Sequence, residues 1–154
     1  MPQLGLSNST SKSKQRNPIV AGQENFDLDT GGFTGEDANL ALYSTGLDTP
    51  CLQVDCTQAN GYAYKEFTVT ASTKYYWRVK LVVGEVGSGN KSILWGTSAG
   101  DGTHYAATQN VPGVTSSGTF TTGGSQTSVF LSLKQAQSGK FAGWDDVLIE
   151  EANV

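Results

Sequence analysis

The chain has 154 residues, a formal net charge of −4, 16% charged residues and 10% aromatic residues. That length is one domain's worth, enough to bury a core without staples, and the aromatic content excludes a disordered chain. The charge is uneven: residues 1–23 carry Lys12, Lys14 and Arg16 and no acid, leaving −7 on the remainder, and an acidic body excludes the basic stripe that nucleic-acid binding needs.

Residues 1–23 show no sustained period. Ser, Asn, Lys and Gly dominate, and the sizeable apolar side chains besides Met1 are Leu4, Leu6, Ile19 and Val20. This segment reads as an extended arm outside the core, with the body beginning at Glu24 and running to residue 154. No apolar stretch of signal-peptide type occurs in residues 1–20, and no run reaches membrane-spanning length.

Asn25 to Leu28 is expected to be a short strand with Phe26 and Leu28 inward, followed by a turn at Thr30-Gly31-Gly32. Ala38 to Ser44 alternates as a strand. Gly46 to Pro50 has turn chemistry. Cys51 to Cys56 places Leu52, Val54 and Cys56 on one face. The two cysteines, five apart, point to opposite faces of one strand and are read as free thiols. Asn60-Gly61 is the dipeptide of a type I′ hairpin. In Tyr62 to Val69 the phase switches from Tyr62 and Tyr64 to Phe67 and Val69, which predicts a bulge near Lys65-Glu66.

Lys74 to Val83 is the longest clean alternation in the chain. Tyr75, Trp77, Val79, Leu81 and Val83 share one face, and Tyr76, Arg78, Lys80 and Val82 the other. It is the expected centre of a sheet. Gly84 to Asn90 reads as a hairpin loop, Ser92 to Gly96 as a strand, Thr97 to Gly102 as a turn and Thr103 to Ala107 as an edge strand. Val111 to Gly118 is a loop. Gly118 to Thr122 and Ser128 to Leu133 are strands, the second with Val129, Leu131 and Leu133 in phase. Gly143 to Glu151 closes the domain, with Val147 and Ile149 inward and Trp144 and Leu148 opposite. About ten strands and no helix predict an all-β fold of antiparallel strands, a two-sheet sandwich or a barrel.

Tests for chemistry are mostly negative. Gly84 to Ser92 lacks the glycine spacing of a phosphate loop, with Asn90 and Glu85 at the decisive positions, and a strand follows it instead of a helix. His104 is the single histidine and has no nucleophile motif beside it. Asp145 and Asp146 are adjacent and do not form a paired acid/base site on a strand. No catalytic residue and no cofactor are expected. A structural calcium is the one metal considered, with Glu24, Asn25, Asp27 and Asp145 as oxygen donors if the first and last strands are neighbours. Tyr43, Tyr62, Tyr64, Tyr76, Trp95, Tyr105 and Trp144 are candidates for stacking on sugar rings, although core packing accounts for most aromatics in a sandwich of this size.

Asn25 to Asp27, Ala71 to Arg78, Leu94 to Thr97, Gly118 to Thr122 and Trp144 to Ile149 form an ordered series. Together they resemble the carbohydrate-binding-module-like jelly rolls of the galactose-binding-like group. The closing Trp144-Asp145-Asp146-Val147 is the most specific element. The resemblance implies a jelly roll of about 8–10 strands over residues 24–154, and a calcium ligand at Asp145. The opening MPQLGLSNSTSK resembles small structural proteins of tailed-phage virions. That second resemblance implies a capsid decoration, or cement, protein, made in the host cytoplasm and located on the virion surface. Its arm (Leu4, Leu6, Lys12, Lys14, Arg16, Ile19 and Val20) would bind the major capsid protein, and its body would self-associate as a homotrimer. Neither nucleic acid nor membrane is an expected partner. The alternative expectation is a glycan-binding module.

Overall fold

The computed structural model of the chain describes residues 20–44, 50–85 and 89–152. Within them the backbone forms β1 (Val20–Glu24), β2 (Thr34–Glu36), β3 (Ala38–Tyr43), β4 (Cys51–Cys56), β5 (Tyr62–Thr68), β6 (Lys74–Gly84), β7 (Lys91–Gly96), β8 (Tyr105–Thr108), β9 (Thr115–Thr121), β10 (Ser128–Gln135) and β11 (Phe141–Glu151). One sheet runs β3-β4-β11-β6-β9, with β1 also paired to β11, and the other runs β2-β5-β10-β7-β8. Every pairing is antiparallel. Among consecutive strands, β3–β4 and β7–β8 pair within a sheet, and each of the other links carries the chain to the opposite sheet. This is a two-sheet sandwich, one of the forms the alternation predicts, with the jelly-roll crossings that the resemblance implies.

Those crossings correct two local expectations. Asn60 does adopt a left-handed conformation, with φ 66°. The turn it makes, however, takes the chain from β4 in one sheet to β5 in the other, so it closes no hairpin. The 84–90 link likewise joins β6 to β7 across the sandwich.

The core lies between the sheets. Tyr75, Trp77, Val79 and Leu81 of β6 face Ile93 and Trp95 of β7 and Val129, Leu131 and Leu133 of β10, all buried. Trp77 and Trp95 meet at 6.0 Å between ring centroids. Each of these side chains removes apolar area from water worth roughly 1.5–3 kcal/mol, which is why β6 alternates so cleanly. Val83 departs from the expected row. The β6–β11 register slips between Val83↔Gly143 and Leu81↔Trp144, and Val83 turns towards Gly143, where an added methyl group would come within 2.5 Å of Val83 Cγ1.

The other bulge sits in β11, and the one expected in β5 is absent. β5 pairs with β10 without interruption from Tyr62↔Lys134 to Thr68↔Ser128. Ala63, Lys65 and Phe67 therefore share the inward side, and Tyr62, Tyr64 and Glu66 face out. In β11 the register shifts between Asp145 and Leu148, and Asp146 is left-handed, with φ 52°. That extra residue reverses the phase. Trp144 is fully buried together with Val147 and Ile149, correcting its expected outward placement.

At the N-terminal side a strand lies within residues read from the sequence as arm. Val20–Glu24 pair with β11 from Glu150 to Val147, so the four residues before Glu24 belong to the sheet. Gly22 lies against the Phe67 ring, and an added methyl group would come within 2.3 Å of it. A position that must stay small breaks the apolar alternation, so the strand is hard to see in the sequence. The 25–28 strand is not formed. Phe26 turns with φ 52°, is buried, and packs 5.7 Å from Phe33, whereas Leu28 is 91% exposed.

Candidate functional site

The outward side of the five-stranded sheet collects side chains that its core does not use. β5 presents Tyr62, Tyr64 and Glu66, β10 presents Phe130, Ser132 and Lys134, and β2 presents Thr34 and Glu36. Registers align them in rows: Glu36, Tyr62 and Lys134; then Thr34, Tyr64 and Ser132; then Glu66 and Phe130. The three rings are half-buried and adjoin one another. Tyr62 and Tyr64 are 6.1 Å apart between centroids, and Tyr64 and Phe130 6.5 Å. Burial, and then the charge of Glu36, raise the pKa of the Tyr62 hydroxyl. Glu36, Glu66 and Lys134 make no ion pair among the described residues.

A wall borders this floor. The 97–104 loop folds back over β7, where Gly102 approaches Leu94 and Ala106. The Gly100 N–H donates to Ser132 Oγ at 2.8 Å. Gly100 is left-handed, with φ 77°, and an added methyl group would lie 3.0 Å from Tyr62 Oη. Asp101 ties the loop together. Its carboxylate accepts from Thr97 N–H at 2.9 Å, Thr97 Oγ1 at 3.1 Å, Thr103 N–H at 3.0 Å and Thr103 Oγ1 at 2.6 Å. Donors of this kind stabilise the ionised form. With Thr103 contributing most, they lower the Asp101 pKa to about 2. The whole is an aromatic floor with a fixed polar wall on the outside of a two-sheet jelly roll.

Solved structures of carbohydrate-binding modules share the two-sheet jelly roll. A xylan-binding domain of family 22 superposes with a TM-score of 0.63 at 15% identity, over 88% of this chain and 97% of that one. A tandem pair of family 22 modules from Paenibacillus barcinonensis Xyn10C gives a TM-score of 0.64 at 17% identity, over 92% of this chain and 48% of the pair. A family 6 module from Cellvibrio mixtus lichenase 5A, solved with cellotriose, gives 0.52 at 14% identity, over 88% and 100%. At these identities the likeness shows the fold. No protein-family model and no curated protein matches the sequence.

Of the stacking candidates, Trp95 and Trp144 are fully buried. Tyr105 packs 4.6 Å from Trp77, and Tyr43 5.4 Å from Phe141. Tyr76 lies on the outside of the six-stranded sheet, aligned with Glu150 and Thr119. Tyr62 and Tyr64 reach the floor. Phe130 was missed, although its phase, opposite to Val129 and Leu131, was the available signal. His104 stacks on Phe120 at 5.0 Å and pairs through Nε2 with the Gln126 amide. Cys51 and Cys56 are free and both buried, and burial pushes each thiol up to about 11. The arm residues Leu4, Leu6, Lys12, Lys14, Arg16 and Ile19 lie outside the described residues. Val20, at the start of β1, is half exposed.

The calcium candidates come partly together. β1 and β11 are neighbours, as that reading required. Asp145 Oδ1 is buried with no hydrogen-bond partner. Burial raises the pKa of its carboxyl, Asp146 and Asp27 add to that, and the Asp146 N–H and Lys80 oppose it. A pocket of about 310 Å³ lined by residues 24–29 adjoins β1. Glu24, however, is bound by the Lys65 ammonium. Among the described residues no group of three or more His, Cys, Asp or Glu is placed to hold a metal. The orphaned Asp145 oxygen is the one feature here that suits a hard cation.

Proposed function

We propose that this domain binds a glycan chain along the outward side of the five-stranded sheet. Tyr62, Tyr64 and Phe130 form the stacking floor, and Glu36, Glu66, Lys134 and Thr34 offer hydrogen bonds to hydroxyls at its margins. The observation that carries this reading is the run of three adjoining, half-buried rings on a face otherwise lined by polar groups. An apolar ring face with polar groups at its edge matches a sugar, which presents an apolar C–H face and a rim of hydroxyls. The jelly-roll likeness to a xylan-binding domain and to a module solved with cellotriose supports it. The reading assigns no chemistry to the domain, only recognition. Calorimetric titration of a glycan panel against wild type and Phe130→Ala tests it. Binding by wild type and its loss in the variant are expected, and unaltered binding by the variant contradicts the site.

A structural calcium held by Asp27 and Asp145 is proposed beside it, carried by the unpartnered Asp145 Oδ1. Its role is to tie the 25–29 loop to β11. Capsid decoration draws on the arm, whose residues 1–19 are outside the described part. The observations on the described residues favour the glycan reading.

A further inference from the structure

The β7–β8 connection is longer and better held than a hairpin requires. Two residues suffice to join antiparallel neighbours, whereas residues 97–104 separate Gly96 from Tyr105. The excess folds onto the sheet face. Gly96 permits the fold, since an added methyl group there would meet the Asp101 carbonyl at 2.4 Å. The Asp101 carboxylate then gathers four donors from Thr97 and Thr103, and Gly100 is left against Tyr62 and bonded to Ser132. Ser132 has no exposed surface. The loop therefore takes Ser132 off the open face and lies over part of Leu94. What remains is a floor two strands wide, β5 and β10, roughly 10 Å across. One side is the wall, and the other is the edge strand β2.

We propose that Asp101 is a positioning residue that sets the selectivity of this groove. By holding Gly100 against Tyr62 it makes the site accept an unbranched glycan chain and reject one carrying side branches. The inference rests on the glycan reading above. A chain lying along β5 and β10 directs substituents on one edge into the wall, which does not yield because its carboxylate and its backbone are both bonded in place. A branch that meets a fixed wall loses affinity by collision, the repulsive half of specificity.

The test compares affinities for linear xylohexaose against an arabinose-substituted xylo-oligosaccharide, and for cellohexaose against a xyloglucan oligosaccharide. Wild type is expected to favour the unbranched partner by about tenfold or more, the scale of a single steric contact. Asp101→Ala releases the loop and brings the ratio close to one. Asp101→Asn, which keeps one acceptor oxygen, recovers part of it. Gly100→Ala leaves Asp101 intact and pushes the wall against Tyr62, so the ratio is expected to depart from the wild-type value there too, and it carries the test if Asp101→Ala does not fold. A general loss of stability weakens both ligands together and leaves the ratio alone. An unchanged ratio in folded Asp101→Ala and Gly100→Ala overturns the proposal while the glycan site stands. Failure of wild type to bind any of the four overturns the glycan reading and the proposal with it.

Discussion

The two outer faces of the sandwich are built from similar residues and end in different states. On the six-stranded sheet several groups satisfy one another. Arg78 donates from Nε and Nη2 to Asp146 Oδ1 at 3.1 and 2.8 Å, Tyr43 packs on Phe141, and Leu148 and Cys51 are buried. On the five-stranded sheet Tyr62, Tyr64 and Phe130 adjoin one another, and the charges beside them have no ion pair among the described residues. Aromatic content alone does not locate a site. Trp77, Trp95 and Trp144 are the largest rings and all serve the core. The site lies where half-buried rings and unspent polar groups coincide.

The largest effect that sharpens this contrast comes from the core. Trp95 lies within ring-contact distance of Phe67, Trp77 and Phe120. Trp95→Ala is expected to cost about 3–5 kcal/mol of stability, read by denaturant unfolding. If it costs less than the floor substitutions do, the assignment of core and face is reversed. Next comes the floor itself. Tyr64→Ala combined with Phe130→Ala should weaken glycan binding about a hundredfold, about 2.7 kcal/mol, with the domain still folded by near-UV circular dichroism. Removing calcium follows. Chelation should lower the melting temperature, and at calcium one hundred times its Kd the stabilisation is about 2.7 kcal/mol. The shift should vanish in Asp145→Asn. A melting curve indifferent to chelator in the wild type removes the metal from the account.

Two smaller effects complete the comparison. Arg78→Ala breaks the half-exposed pair with Asp146, costs at most about 1 kcal/mol and leaves glycan affinity unchanged. A loss of affinity there would move the site to the other sheet. The pH response is confined to the wall. The folded pKa of Asp101 is lowered from an ordinary 3.8 to about 2. Its contribution is therefore complete above pH 3.8 and is lost as pH falls through about 2. Amide exchange at Gly100 and Thr103 should accelerate over that interval, and in Asp101→Asn it should not.

Much of the fold was legible because burial on one side leaves a two-residue period. β6, β4 and β10 were readable for that reason. Offsets within a strand were harder. The offset of Tyr62 and Tyr64 from Phe67 reads as a bulge if all three rings face one way. In fact two face out, and β5 is regular. In β11 the odd spacing from Trp144 to Val147 was a genuine bulge, and it passed unnoticed because both phases carry apolar residues. The same spacing has two physical causes, and only the partner strand's register separates them. The site was half legible. Tyr62 and Tyr64 were among the candidates, but the wall depends on Gly100 meeting a ring 38 positions away in sequence, which no local pattern encodes.

The most direct test of the central claim is a map of amide chemical-shift changes while the domain is titrated with xylohexaose or cellohexaose. The account predicts shifts centred on Tyr62, Tyr64, Phe130, Ser132 and Gly100, with Tyr76, Arg78 and Lys80 unmoved. Shifts centred on those three residues, or none anywhere at millimolar ligand, contradict it.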